Sequence, residues 1–108
     1  SMDAICNFDA DGGEHFPGWT LEALQYIYET RNAAANGHET LDTDASIEAE
    51  KAGDLACERY VLASGKLQIE VLQNLDKVPA AGAVLVAAWL RLEGANGLPV
   101  RVWAICPE

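Results

Sequence analysis

The chain is short of positive charge. Seven Lys and Arg stand against seventeen Asp and Glu, a formal charge of −10. Nucleic acid and anionic membranes attract cationic surface, so neither is an expected partner. Cysteine is scarce too. Cys6, Cys57 and Cys106 are odd in number and scattered, which excludes a disulfide framework or a zinc ribbon and suits free thiols in a reducing, cytoplasmic setting. There is no Cys-x-x-Cys, no glycine-rich phosphate loop and no serine elbow. Without a close Cys–His motif, a cysteine nucleophile has little support. Long apolar runs are also missing. Val78 to Leu90 carries no charge, but Pro79 and Gly82 interrupt it and it is too short to cross a bilayer. No stretch reads as a signal peptide, and Ser1-Met2 reads as a cloning remnant.

What remains is one domain's worth of chain. The 108 residues are 50% hydrophobic, enough for a core and too many for disorder. Residues 1–108 are therefore expected to form a single domain. At this length a partner chain often completes the core.

The run Gly37-His38-Glu39-Thr40-Leu41-Asp42-Thr43-Asp44 concentrates the chemistry. It holds one of the two histidines (the other is His15) and three acids within six positions. Before it, Asp3 to Phe16 reads as an irregular acidic segment. Asp9, Asp11, Gly12, Gly13 and Glu14 offer oxygens and a glycine turn for a hard cation, but the downstream glutamate of an EF-hand is absent, so a solvated loop is expected. Thr20 is a helix N-cap, and Leu21, Leu24, Ile27 and Tyr28 share one face of a helix ending near Arg31 or Asn32. Asn36-Gly37 marks a chain reversal or a strand edge.

After the run, Ser46 to Ala52 suits a short helix stopped by Gly53. Asp54 then caps a second helix over Leu55 to Ala63 that ends at Ser64-Gly65. Glu58 lies on the Leu55/Leu62 face and points inward, where a carboxylate needs a cation, a proton or strong hydrogen bonds. Leu67 to Leu72 begins with strand alternation. Ala83 to Leu90 reads as a strand covered on both faces, and Val100 to Cys106 as its antiparallel partner.

The candidate chemical side chains are His15, His38, Glu39, Asp42, Asp44, Glu58 and Glu70. Imidazole and carboxylate are the usual ligands of zinc or manganese. Each also has an ordinary use: His38 can donate to a backbone carbonyl, Asp42 and Asp44 can cap the following helix, and Glu70 can sit solvated on a strand.

Four blocks narrow these alternatives. They are His15-Phe16-Pro17-Gly18-Trp19-Thr20-Leu21-Glu22-Ala23-Leu24, Gly37 to Ser46, Gln68 to Pro79, and Gly97-Leu98-Pro99-Val100-Arg101-Val102. In this order they resemble the cyclase-like metal-dependent hydrolases, the family of kynurenine formamidase and isatin hydrolase. The resemblance covers nearly the whole chain from His15 and corresponds to the C-terminal half of such a protein. It implies an α/β fold, a partial swivelling β/β/α domain with a mixed sheet and two or three helices. It also implies an oligomer, and a divalent metal, zinc or manganese, that activates water for amide hydrolysis.

In the formamidase branch a helical histidine and a glutamate twelve residues later ligate the metal. Those positions fall here on Glu58 and Glu70, the first a departure from histidine. His15, His38, Glu39 and Asp42 lie in the shared blocks and are expected to line the same pocket. The family's other ligands and catalytic histidine come from a His-rich motif, His-Gly-Thr-His-x-Asp in type, which has no counterpart here. The metal site is thus expected to be incomplete, since a catalytic zinc takes three protein ligands plus water. Two further departures are Ala33-Ala34-Ala35-Asn36, a poor strand former where relatives carry β-branched residues, and Leu90 and Leu92 at frequent proline positions, which would lengthen the strand.

Two functional readings follow. One is a truncated hydrolase domain, inactive alone, persisting as a self-associating binding module. The other is half of a split amide hydrolase, completed by a partner chain with the His-rich motif. Isatin, formylkynurenine and other cyclic or formyl amides remain open as ancestral substrates.

Overall fold

The computed structural model describes residues 2–107; Ser1 of the Ser1-Met2 remnant lies outside them. The chain divides into two compact units, residues 1–73 and 74–108.

The first unit is built on a helix pair. Thr20 caps α2 (Leu21–Gln25), its hydroxyl accepting the Ala23 N–H at 3.2 Å, and the helix runs on as one π-helical turn over Tyr26–Thr30. Leu24 and Tyr28 are four apart, so they share a face. They meet Cys57 and Val61, also four apart, on the helix Ala56–Ala63. Trp19, Leu21, Ile27, Ala33 and Tyr60 close over this cluster. Burying an aliphatic or aromatic side chain contributes roughly 1.5–3 kcal/mol, and Phe16 is buried in this unit as well. The segment read as irregular contains one helical turn, α1 (Met2–Cys6), with Cys6 buried.

Strand β1 (Ala35–Gly37) pairs in parallel with β2 (Leu67–Ile69). The alanine-rich stretch thus makes a strand despite its composition. Side-chain anchors outweigh propensity here: Tyr28 donates its hydroxyl to Asn36 Oδ1 at 2.5 Å, and Lys66 Nζ donates to the Ala33 carbonyl. Between the strands lie α3 (Ser46–Ala52) and α4 (Ala56–Ala63). Gly53 ends α3 at φ 62°, the left-handed conformation that glycine adopts without strain.

The expected cap at Asp54 does not form. Asp54 pairs with Arg59 instead, and the start of α4 is capped from a distance. Asp44 Oδ1 accepts the Cys57 N–H at 2.8 Å, and Oδ2 accepts the Glu58 N–H at 2.9 Å. Asp44 therefore caps not the helix that follows it but the one after that, because the chain folds the run 37–44 back over the α4 N-terminus.

The second unit is a short 3₁₀ turn (Leu75–Lys77) and an antiparallel hairpin, β3 (Val84–Ala88) with β4 (Arg101–Ile105). The antiparallel pairing is as expected; the covering is not. Val84, Leu85 and Val86 are exposed. An apolar run reports what a strand can bury, not what lies on it. Nor does the strand lengthen through Leu90 and Leu92. It stops at Ala88, opposite Arg101, two residues after Pro99, which has no N–H to extend the ladder. Among the described residues, no helix is long and apolar enough to cross a membrane.

Candidate functional site

The first unit brings three carboxylates together. Asp42 comes from the central run, Glu58 from the first turn of α4, and Glu70 from just beyond β2. One oxygen of each lies within 4.8 Å of the others. Sixteen residues or fewer separate neighbours in the sequence, yet each acid comes from a different element, so the fold has to place all three.

Several bonds do the placing. Gly18 lets the chain before α2 press against the run: a Cβ there would stand 2.2 Å from both Ala45 N and Asp44 C. Trp19 N–H donates to the Thr43 carbonyl at 2.8 Å. On the other side, His38 N–H donates to Ile69 O, Leu72 N–H to His38 O, and Val71 N–H to Thr40 O. The run is thereby laced to the exit of β2, where Glu70 sits. Buried Thr43 donates its hydroxyl to Gln68 Oε1 at 2.7 Å, which turns the Gln68 amide nitrogen towards Glu70 Oε1 at 3.2 Å.

The electrostatics of the group are uncompensated. Burial, then the neighbouring Glu58 and Asp42, push Glu70 up to about 7. Burial, then Asp42 and Asp44, raise Glu58. Burial, then Glu14 and Asp44, raise Asp42, with His38 acting weakly in the opposite direction. Three acids all displaced upward are three acids that repel one another in a partly dry place. Such a set accommodates its charge by taking up protons or a cation.

His38 is half-buried, and burial lowers its pKa. Its Nδ1 lies 3.2 Å from the Thr40 carbonyl and 3.0 Å from Thr40 Oγ1. A carbonyl only accepts, so the Thr40 carbonyl favours the neutral tautomer with the proton on Nδ1, which leaves a lone pair on Nε2. That Nε2 is buried without a hydrogen-bond partner among the described residues. A ring held through Nδ1–H on a carbonyl, with a bare Nε2, is the arrangement metal-binding histidines use. The donor chemistry of the three acids, hard carboxylate oxygens, fits a divalent cation.

The remaining sequence candidates, His15 and Glu39, are not members of the three-acid group. His15 is exposed and pairs with Asp9 at 2.8 Å. Asp9 also accepts the N–H groups of Asp11 and Gly13, so the acidic loop spends its best carboxylate on its own turn. Glu39 is exposed. Sequence reasoning passed over Gln68 and the long-range capping by Asp44. The period of two that puts Gln68 and Glu70 on one strand face was a usable signal for the first; nothing local announces the second.

No family model matches the chain. In sequence and in fold the chain is similar to part of isatin hydrolase, a cyclase-like hydrolase. The particular relative is isatin hydrolase. The protein of that name from Roseibium aggregatum is 31% identical over 105 residues, covering 97% of this chain and 39% of its own length. The structure of isatin hydrolase A from Labrenzia aggregata bound to benzyl benzoate superposes with a TM-score of 0.87 at 38% identity, over 100% of this chain and 42% of that one. Isatin hydrolase A from Ralstonia solanacearum gives 0.84 at 34% identity, over 97% and 40%. The chain thus spans about two fifths of the relatives it matches.

Proposed function

We propose that the chain carries the carboxylate part of a divalent-cation site in a hydrolase for small cyclic amides of the isatin type. The observation that carries this reading is the convergence of Asp42, Glu58 and Glu70 from three separate elements. Those residues would hold the cation, and His38, on which the Asp42 charge acts, is the candidate nitrogen donor. A bound cation would supply Lewis-acid polarisation of the amide carbonyl and activation of water. The chain's own residues do the rest of the work at this site. Gln68 fixes Glu70 Oε1 by hydrogen bonding, Asp44 holds the α4 end that bears Glu58, and the Thr40 carbonyl keeps the His38 proton on Nδ1.

The chain alone is inactive in this reading, and the site is completed by polypeptide carrying the His-rich motif. The name of the relatives supports a cyclic amide as substrate, and three free cysteines accord with a reducing, cytoplasmic location. The test is a manganese titration followed by electron paramagnetic resonance, with an isatin ring-opening assay alongside. One equivalent of bound manganese per chain without turnover supports the reading. Manganese that stays free, or turnover by the chain alone, sinks it. A second reading, the self-associating module, is favoured by the exposed apolar side chains of residues 84–105.

A further inference from the structure

Among the described residues, the non-glycine residues with a positive φ are Asn7, Asn32, Asn74 and Val71. Asparagine visits the left-handed region readily, because its short polar side chain bonds locally. A β-branched residue does not, so Val71 at φ 54° is the outlier. Nothing in its own chemistry selects that backbone. The fold imposes it, one residue after Glu70.

The ladder shows how. β1 and β2 pair Ala35 with Leu67, Asn36 with Gln68 and Gly37 with Ile69, which brings His38 opposite Glu70. In a regular parallel pair the His38 carbonyl would then accept from the next residue, Val71. It accepts from Leu72 at 2.9 Å instead, and the Val71 N–H turns to the Thr40 carbonyl at 3.0 Å. Val71 is thus the extra residue of a β-bulge, a feature that re-aims side chains. Consecutive N–H groups of an extended strand point to opposite edges. Here two of them reach the same run, and the left-handed turn at Val71 is what allows it. Gly37 makes the room, since a Cβ there would stand 2.8 Å from Leu72 Cδ1.

The result is a distance. If the pairing continued in register, Asp42 would stand opposite Asn74, roughly 13 Å along the strand from Glu70. The bulge instead holds Thr40 back at Val71, and the Asp42 and Glu70 carboxylates lie within 4.8 Å. The Thr40 carbonyl also faces His38 Nδ1 at 3.2 Å, so one peptide group ties the Glu70 segment to the run that bears His38 and Asp42. We propose that Val71 is a positioning residue, whose left-handed backbone holds Glu70 against Asp42. Its functional meaning rests on the cation reading above, and the placement is tested apart from it.

The experiment is urea unfolding of the full chain at pH 8 with a chelator. Val71→Gly and Val71→Ala both remove the branched side chain. At a left-handed position the glycine variant should exceed the alanine variant by about 0.5 M in midpoint, whereas at an ordinary strand position alanine is the more stable. A double-mutant cycle then reads the placement. Glu70→Gln relieves the repulsion among the acids and raises the parent's midpoint by about 1 M. Val71→Pro forbids a positive φ and removes the N–H. Deleting Val71 lets Leu72 take the regular ladder bond, which gives a second route should the proline variant not fold. In both backgrounds Glu70→Gln raises the midpoint by less than about 0.3 M. A role in stability alone would lower the midpoints and leave that shift at about 1 M. In a manganese titration both variants bind about tenfold more weakly than the parent, or worse.

An alanine variant as stable as the glycine variant overturns the proposal. So does a Glu70→Gln shift that the proline and deletion variants leave unchanged. A deletion variant that does not fold overturns it too, because the extra residue would then serve the fold rather than Glu70. A parent that leaves manganese free while the unfolding shifts come out as expected defeats the cation reading and supports the placement.

Discussion

Replacing Glu70 by glutamine tests the repulsion within the acid group. A carboxyl whose folded pKa is raised binds its proton more tightly in the folded state. Its contribution is fully present below the unfolded value near 4.5, declines as pH rises towards about 7, and stays lost above that. The gap between those two values, at about 1.4 kcal/mol per tenfold, bounds the loss at about 3.4 kcal/mol. Glu70 is only half-buried, so solvent screening reduces this to about 1–2 kcal/mol. Glutamine keeps an oxygen to accept from Gln68 and removes the charge. Metal-free Glu70→Gln protein should be more stable than the parent at pH 8 by about 1–2 kcal/mol. At a urea m-value of about 1–2 kcal/mol/M, its midpoint should rise by about 1 M. At pH 4 the two should coincide, because the parent's Glu70 is then protonated. Urea titrations at pH 4, 6 and 8 in the presence of a chelator measure this. A variant equal to the parent, or less stable, at pH 8 would show that the three carboxylates do not repel one another as their positions require.

Other consequences are as specific. Asp44→Ala leaves the Cys57 and Glu58 N–H groups without acceptors and should cost about 1–2 kcal/mol in urea unfolding; an unchanged midpoint would remove Asp44 from its capping role. Gly18→Ala pushes a methyl into the backbone at Asp44–Ala45 and should cost about 3 kcal/mol, with a well-folded variant of unchanged midpoint as the contrary result. Cys57 has its thiol pushed up to about 12 by burial, then by Asp44, and Cys6 is buried. At pH 8 a disulfide reagent should therefore modify one thiol fast, Cys106, and the other two only on unfolding; two fast thiols would contradict that burial.

The sequence marked the helices well, because their signals are local. Thr20 and Gly53 cap where their types predict, and the spacing of Leu24 and Tyr28 shows the buried face. The parallel strand at Ala35–Gly37 was hidden, since its stability comes from Tyr28 and Lys66 rather than from its own residues. The exposure of Val84 to Val86 was equally illegible: an apolar run reads the same whether or not something lies on it. At the site, Glu58 and Glu70 stood out by resemblance and by pattern, but their meeting with Asp42 depends on the lacing of His38–Thr40 to Ile69–Leu72. That lacing runs through backbone groups, which every residue has and no sequence advertises. Asp54 and Asp44 make the same point in reverse. The nearer aspartate looks like the cap, and the one ten residues earlier is the cap.

The most direct measurement is anomalous diffraction from crystals of the chain grown with zinc. One peak between Asp42, Glu58 and Glu70, with carboxylate oxygens at about 2.0–2.2 Å, is the predicted result, and it should vanish in a crystal of the Glu58→Gln, Glu70→Gln double variant. Zinc bound only elsewhere, for instance at Asp9 and His15, with the three acids left side by side, would contradict it.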